Sequence, residues 1–264
     1  MLDKNKILKG LKIDNDNKII VFNLLDKIER ALKSYEIQFS NFLSPDIIQI
    51  IKRIEINFSY ELRFTYFGGY EDSEYAIVKI EPLYMDEKKD DFPIYLLKGE
   101  SNDLNISLSH RNILGSLMGL GIRRDTIGDI VVYDQVFYVF VGKGVSDYLL
   151  YNFDRVGRSK ITIEQIELSE FLYKEPEFKL HHKVVASLRI DAILAAGFNL
   201  SRSESSKLVK SGKVKCNYTI VESISLAVKE NDIISCRGNG RIILLEVGRL
   251  TKKDRINVLI KKYI

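Results

Sequence analysis

The sequence predicts an α+β chain in three parts. These are a helical N-terminal region at 1–70, a ferredoxin-like, RNA-recognition-type α/β sandwich with a trailing linker at 71–182, and a compact basic module at 186–264. Three observations carry this. Apolar residues recur at helical spacing through the first part. Strand and helix signals in the second run strand–helix–strand–strand–helix–strand, the split βαβ pattern. Charge then changes sign: residues 186–264 hold 15 Lys and Arg against 7 Asp and Glu, while the rest of the chain holds 25 against 29. A length of 264 residues suits two or three small domains, and a hydrophobic content of 45% supports a core.

Each element has a local reason. Leu24, Leu25, Ile28, Leu32 and Tyr35 line one face of a first helix. Ser44 and Pro45 open a second, as N-cap and first helical residue, with Ile47, Ile48, Ile51 and Ile54 inward. Gly68-Gly69 breaks the pattern. Tyr75–Glu81 reads as a strand closed by Pro82, Phe92–Leu97 as a second, and Asn105–Leu108 as a third extended stretch. His110–Leu120 places Ile113, Leu114, Leu117 and Met118 on one helical face. Asp129–Tyr133 and Val136–Val141 form a hairpin across Asp134-Gln135. Ser146–Val156 reads as a helix and Lys160–Leu168 as a strand. Glu170–His182 contains Pro176, has no clear period, and is expected to be a linker.

Composition narrows the classes. No apolar run approaches the roughly 20 residues of a membrane span. The start, MLDKNKILKG, has no apolar signal-peptide core. Cys216 and Cys236 form no CxxC, which fits free thiols in a reducing compartment, so the expected address is the cytoplasm. His181-His182 lacks a third ligand at useful spacing, so no metal is expected. Gly142-Lys143-Gly144 and Gly238-Asn239-Gly240 match neither phosphate-binding signature and read as turns. GxSxG, HExxH and a nucleophilic Cys–His pair are absent from the sequence, so neither catalysis nor a cofactor is expected. Phe137, Tyr138 and Phe140 are candidates for base stacking on an exposed sheet, although alternating aromatics more often fill a core.

The basic module is the most informative stretch. Ser187 is expected to cap a helix carrying Ile190, Ile193 and Leu194, ended by Gly197. Ser201 caps the next, and Glu204 three residues on completes a capping box. At about 100° per residue, Ser205, Leu208 and Val209 share one face, and Ser203, Lys207 and Lys210 the other. Gly212 is the expected stop. Lys213–Cys216 then alternates as a half-buried strand, with Ile233–Cys236 and Ile242–Val247 as two more around the turn Arg237–Arg241. Arg189 and Arg202 fall in first helical turns, where the helix dipole disfavours a cation by roughly 0.3–1 kcal/mol. Helix stability does not account for them. A polyanion does, because free N–H groups at a helix start favour phosphate and an arginine fork adds bidentate contacts. The module is therefore expected to bind nucleic acid.

The segments LRIDAILAAGFNLSRSESSKLVKSGKVKCN and KENDIISCRGNGR resemble the RNA-binding domain named after ribosomal small-subunit protein four, the S-four domain. The shared pattern is Arg-x-Asp, then Ser-Arg, a helix, Gly-x-Val-x-Val-Asn, and Gly-Asp-x-Ile-x-x-Arg. The resemblance implies an RNA face of Arg189, Ser201, Arg202, Lys207, Lys210, Gly212, Lys213, Asn217, Arg237 and Arg241, and Ser203 and Lys215 are further RNA-binding candidates beside it. Cys216 stands where valine is usual, Tyr218 where glycine is common, and Asn231 where glycine precedes the aspartate.

Upstream, FLSPDIIQII, FGGYEDSEY and HRNILGSLMGLGIRRDTIGDIVV resemble the YlmH family of bacterial RNA-binding proteins, whose S-four domain is also C-terminal. That resemblance implies rRNA and tRNA as partners on the large ribosomal subunit, and a role in rescue of stalled translation. A monomer with no membrane partner is expected. His110, Arg111, Arg123 and Arg124 are candidates for a second RNA contact. Two other classes remain open on the residues alone. One is an RNA-modifying or tRNA-charging enzyme with an S-four appendage, for which no catalytic signature is found. The other is an RNA-binding interaction protein of cell division.

Overall fold

A computed structural model describes residues 3–9, 13, 15–85, 92–101, 103 and 108–264. The chain divides into two compact units, 1–173 and 174–264. The first unit opens with α1 (Lys4–Lys9), α2 (Asn15–Ser34), β1 (Gln38–Phe39), α3 (Pro45–Glu55), β2 (Leu62–Phe67) and β3 (Ile77–Pro82). This segment is not all helix. Its strands form an antiparallel sheet in the order β1-β3-β2. Helices α2 and α3 pack on that sheet through Leu24, Leu25 and Ile28 and through Ile47, Ile51 and Ile54. The strand expected at 75–81 exists, but its partner is β2, with Phe64 opposite Ile80. A domain boundary at residue 70 would cut through this ladder. Alternation finds a strand without saying which sheet it joins.

The unit continues with β4 (Ile94–Ser101), α4 (His110–Gly119), β5 (Ile127–Tyr133), β6 (Val136–Gly142), α5 (Lys143–Asn152), β7 (Arg155–Val156) and β8 (Ser159–Ile166). The sheet order is β5-β6-β4-β8-β7. Without the short β7 it is the ferredoxin-like arrangement that the sequence predicts. Ile113, Leu117 and Leu149 of the two helices cover one face, over Leu97, Phe137 and Val139. The helix expected from Ser146 starts at Lys143 with Gly142 as N-cap, so Gly142-Lys143-Gly144 is a strand-to-helix junction rather than a free turn. Of the extended stretch expected at Asn105–Leu108, residues 105–107 lie outside the described residues, and Leu108 is buried without strand structure.

The second face of this sheet is also closed. Tyr70 and Phe171 each place their ring centroids 5.1 Å from that of Phe140, and Tyr173 stacks 5.0 Å from Tyr70. Phe137 and Phe140 are fully buried, and Tyr138 packs 5.1 Å from Phe171. The core reading of these aromatics therefore holds for Phe137 and Phe140, and Tyr138 is half-buried against Phe171, which leaves the stacking alternative without an open face. Gly69 makes the closure possible. It sits at φ +111°, and a Cβ there would come within 2.2 Å of the Phe140 ring. Asp129 pins the adjacent turn, accepting from the Tyr70 hydroxyl at 2.8 Å and from the Glu74 and Tyr75 N–H groups at 2.8 and 3.0 Å. Burial still pushes its carboxyl up.

The second unit comprises β9 (Phe178–Val185), α6 (Ile190–Phe198), α7 (Arg202–Lys210), β10 (Val214–Cys216), β11 (Thr219–Ile220), β12 (Ile233–Cys236), β13 (Gly240–Leu250) and β14 (Ile256–Tyr263). Its strands form one antiparallel sheet in the order β11-β10-β12-β13-β14-β9. Ile190, Ile193, Leu194 and Val209 of the helices pack on Val214, Ile234, Ile242 and Ile260. The linker reading of 170–182 is corrected here. Phe178–His182 belongs to β9, which pairs with β14 from Phe178 opposite Tyr263 to Val185 opposite Ile256. The periodicity was misleading because outward-facing Phe178, Leu180 and Val184 are apolar and exposed, while Lys183 turns inward to bond Asn199 at 3.0 Å. Among the described residues, no helix is long and apolar enough to cross a membrane.

Candidate nucleic-acid interface

Helix α6 begins later than expected. Arg189, not Ser187, is its N-cap, in extended conformation, so Arg189 lies just before the first turn rather than in it. Arg202 is the first residue of α7. The capping box there forms as the spacing predicts. The Ser201 hydroxyl accepts from the Glu204 N–H at 3.2 Å, and the Glu204 carboxylate accepts from the Ser201 N–H at 2.9 Å. The Ser201 hydroxyl also donates to the Glu204 carboxylate at 2.7 Å, and that bond, followed by the backbone one, holds the Glu204 carboxyl below the usual range.

Both arginines converge on one acid. Asp191, in the first turn of α6, is 3% exposed. It accepts from Arg189 Nε at 3.2 Å and Nη2 at 3.4 Å, and from Arg202 Nη2 at 2.8 Å. The carboxylate is where the helix dipole favours it. The two cations thus have an internal partner, so their placement does not by itself demand an external anion. Yet the side chains remain 41% and 50% exposed, with further N–H donors unused on Arg202. Asp191 fixes the orientation of two guanidinium forks, a role that sequence reasoning missed. The available signal was an acid inside the otherwise apolar run Ile190-Asp191-Ala192-Ile193-Leu194.

Along α7, Ser205 and Val209 are buried while Ser203, Lys207 and Lys210 are exposed, as the wheel predicts. Gly212, at φ +68°, ends the helix. Its N–H bonds the Val209 carbonyl and the Lys213 N–H bonds that of Leu208, the paired pattern of a Schellman stop. The Arg237 N–H bonds the Lys213 carbonyl at 2.9 Å, which brings these two cationic residues together. On the sheet, Lys215 lies opposite Ser235, which lies opposite Arg241, so both cations share one outward row. Arg241 stands 5.8 Å from the Tyr218 ring. Lys207, Lys210, Lys213, Lys215 and Arg237 are exposed and make no ion pair among the described residues.

Asn217 is placed differently. Its amide donates to Asp232 at 2.7 Å and accepts from the Ile233 N–H at 2.9 Å, clamping β10 to β12. Asn217 and Tyr218 both have positive φ, +46° and +67°, as a two-residue type I′ hairpin turn requires. Asn231 likewise adopts φ +66° where its side chain tolerates it. The secondary candidates divide. His110 and Arg111 lie at the accessible start of α4, and partial desolvation of the inner side of the His110 ring, with Arg124 nearby, holds it below its usual pKa. Arg123 forks onto Asp125 at 3.1 and 2.5 Å. Arg124 lies 4.0 Å over the Tyr75 ring and donates to the Ile127 carbonyl. His181 and His182 sit in β9, and the described residues contain no group of three or more His, Cys, Asp or Glu able to hold a metal.

Comparison with known families agrees with this geometry. Residues 188–234 match the family model described as the S4 domain, and 87–170 that described as a putative RNA-binding domain in YlmH. Residues 16–85 match the model "YlmH, N-terminal". The class is that of RNA-binding proteins with a C-terminal S-four domain. The chain is 30% identical over 247 residues to the ribosome-associated protein quality control protein P2 of Bacillus subtilis (strain 168), spanning 94% of this chain and 95% of that one. It belongs to the YlmH family. The fold is also similar to a solved structure, the cell division protein ylmH from Streptococcus pneumoniae, with a TM-score of 0.51 at 22% identity over 61% of this chain and 96% of that one.

Proposed function

We propose that the protein binds ribosomal RNA on the large ribosomal subunit, beside tRNA, and acts by occupancy in the rescue of stalled translation. One observation carries the RNA part. Five exposed cations that make no ion pair among the described residues lie in the same small unit as two guanidiniums aligned on buried Asp191. Non-specific charge alone would not need the alignment. The ribosomal part is supported by the relative named as a ribosome-associated quality control protein. A single module of this size buries about 600–1,000 Å² on nucleic acid, which gives modest specificity. A second contact on the same chain raises effective concentration without new chemistry. An rRNA junction beside a tRNA offers two anionic surfaces at fixed separation. In this reading no bond in RNA is made or broken.

Sucrose-gradient profiles of cells with stalled translation test it. The protein is expected in the free large-subunit fraction, and the signal should fall when the exposed Lys207 and Lys210 become glutamate. Recovery only at the top of the gradient, or only with small subunits, would remove the ribosomal part. With about five or six phosphates contacted, affinity for single-stranded RNA should fall with salt at a log–log slope of about −3.5 to −4.

A further inference from the structure

The first unit is acidic overall, with 22 Lys and Arg against 27 Asp and Glu in residues 1–173. Against that background one cavity is cationic at its mouth. It measures about 620 Å³ and lies between α2, the segment 40–47 and the turn 123–125. That volume lies within the roughly 300–1,000 Å³ of ligand pockets. Its floor is aliphatic, built from Ile20, Leu24, Leu43 and Ile47. Lys27 and Arg30 stand at its edge on α2. Neither makes an ion pair among the described residues. Desolvation and then the neighbouring Arg30 lower the Lys27 pKa, as expected of two cations with no counter-ion between them. The nearby acids are taken: Asp26 pairs with Lys4 at 2.5 Å and Asp125 with Arg123. The opposite wall carries the Arg124 guanidinium, its Cζ 4.0 Å from the centroid of the Tyr75 ring.

We infer that this groove takes one unpaired nucleotide of an RNA strand, with the phosphate between Lys27 and Arg30 and the base against the aliphatic floor and the Arg124 plane. Charge complementarity selects an anion. The flat, delocalised guanidinium selects a planar group over a carboxylate side chain, since bases stack on arginine planes. The usual alternative surface is gone, because Tyr70, Phe171 and Tyr173 close the sheet face on which this topology stacks bases. The inference takes its ligand class from the RNA-binding reading above and joins Arg124, already a candidate for a second contact, to Lys27 and Arg30, which that reading does not use.

Photocrosslinking tests it. Full-length protein is irradiated with a thiouridine-labelled single-stranded RNA of about 15 nucleotides, a length that spans one such site with its flanks. Crosslinked peptides are then mapped by mass spectrometry. Crosslinks are expected within 19–30 and 123–125, and also within 174–264. Lys27→Glu with Arg30→Glu should cut the first set at least about tenfold and leave the second, because the S-four unit keeps its own phosphate contacts. If that variant fails to fold by circular dichroism, Arg30→Glu alone, at an exposed position, carries the same comparison. Crosslinks confined to 174–264, or groove crosslinks unchanged by the variant, would overturn the groove. So would groove crosslinks to a ribosomal protein instead of RNA when purified large subunits are the probe, which would indicate an acidic peptide. Groove crosslinks with none from 174–264 would support the groove and overturn the basic-face reading instead.

Discussion

The ferredoxin-like sheet of the first unit and the S-four sheet of the second are both antiparallel and both carry two helices on one face. They differ in what lies on the other. In the first, Tyr70, Phe171 and Tyr173 cover Phe140 and Leu96, and the sheet is core on both sides. In the second, Lys215 and Arg241 share an outward row, and Phe178, Leu180 and Val184 of β9 are exposed. Charge follows the same division. Residues 174–264 hold 18 Lys and Arg against 9 Asp and Glu, while residues 1–173 are acidic. A topology known for RNA binding has lost its stacking face to packing. The six-stranded sheet of the second unit instead keeps an outward row of charge, the face we propose for RNA. Topology alone therefore does not locate a binding surface; what covers each face does.

The largest expected effect separates packing from binding. Phe140→Ala should cost the first unit about 3–5 kcal/mol, read as a shift in its denaturant transition. RNA affinity through the basic face should stay unchanged. A parallel loss of affinity would mean that the closed sheet contributes to binding after all. Next, Lys207→Glu with Lys210→Glu should weaken RNA binding on the order of 100-fold, with circular dichroism unchanged, because both side chains are exposed and make no ion pair among the described residues. Equal affinity in the folded variant would move the interface off α7.

Asp191→Asn sharpens the contrast between charge and alignment. The substitution makes the chain more positive by one charge, so a purely electrostatic face would bind RNA more tightly. Alignment of the two arginine forks predicts the opposite, about tenfold weaker binding. Fluorescence anisotropy on the folded variant decides between the two signs. Tyr218→Gly should act on stability alone. Relief of the left-handed residue at φ +67° is expected to raise the melting free energy by about 0.5–1 kcal/mol, net of the lost contact with Arg241. A destabilised variant would show that the ring matters more than the backbone.

The smallest effect concerns Cys216. Burial pushes its thiol up to about 11. At about pH 8 only on the order of a thousandth is thiolate, so the native protein should resist iodoacetamide while the unfolded chain reacts. The folded pKa lies above the unfolded one, so this thiol's contribution is complete below pH ~8.5 and declines as pH rises toward 11. Rapid alkylation of native protein at Cys216 would show that β10 opens far more readily than its pairing with β12 suggests.

Local signals were legible without any structure. The Ser201–Glu204 box, the buried Ser205–Val209 face and the Gly212 stop are settled within four or five residues, the reach of one helical turn. The Asp134-Gln135 hairpin is similarly local, with Asp134 at φ +52°. The net charge of the last module and its family motif also lie in plain sequence. The tertiary structure alone decided matters that depend on residues far apart. Strand β3 joins β2 rather than β4, and β9 finds its partner in β14 across the whole second unit, because a strand's two-residue period carries no label for its neighbour. Phe140 is core because Gly69 lets the chain close over it. A count of charges could not show that Asp191 aligns two arginines, or that Arg123 is neutralised while Lys27 and Arg30 are not. Ionic partners are chosen by distance in space, and that distance exists only once the chain has folded.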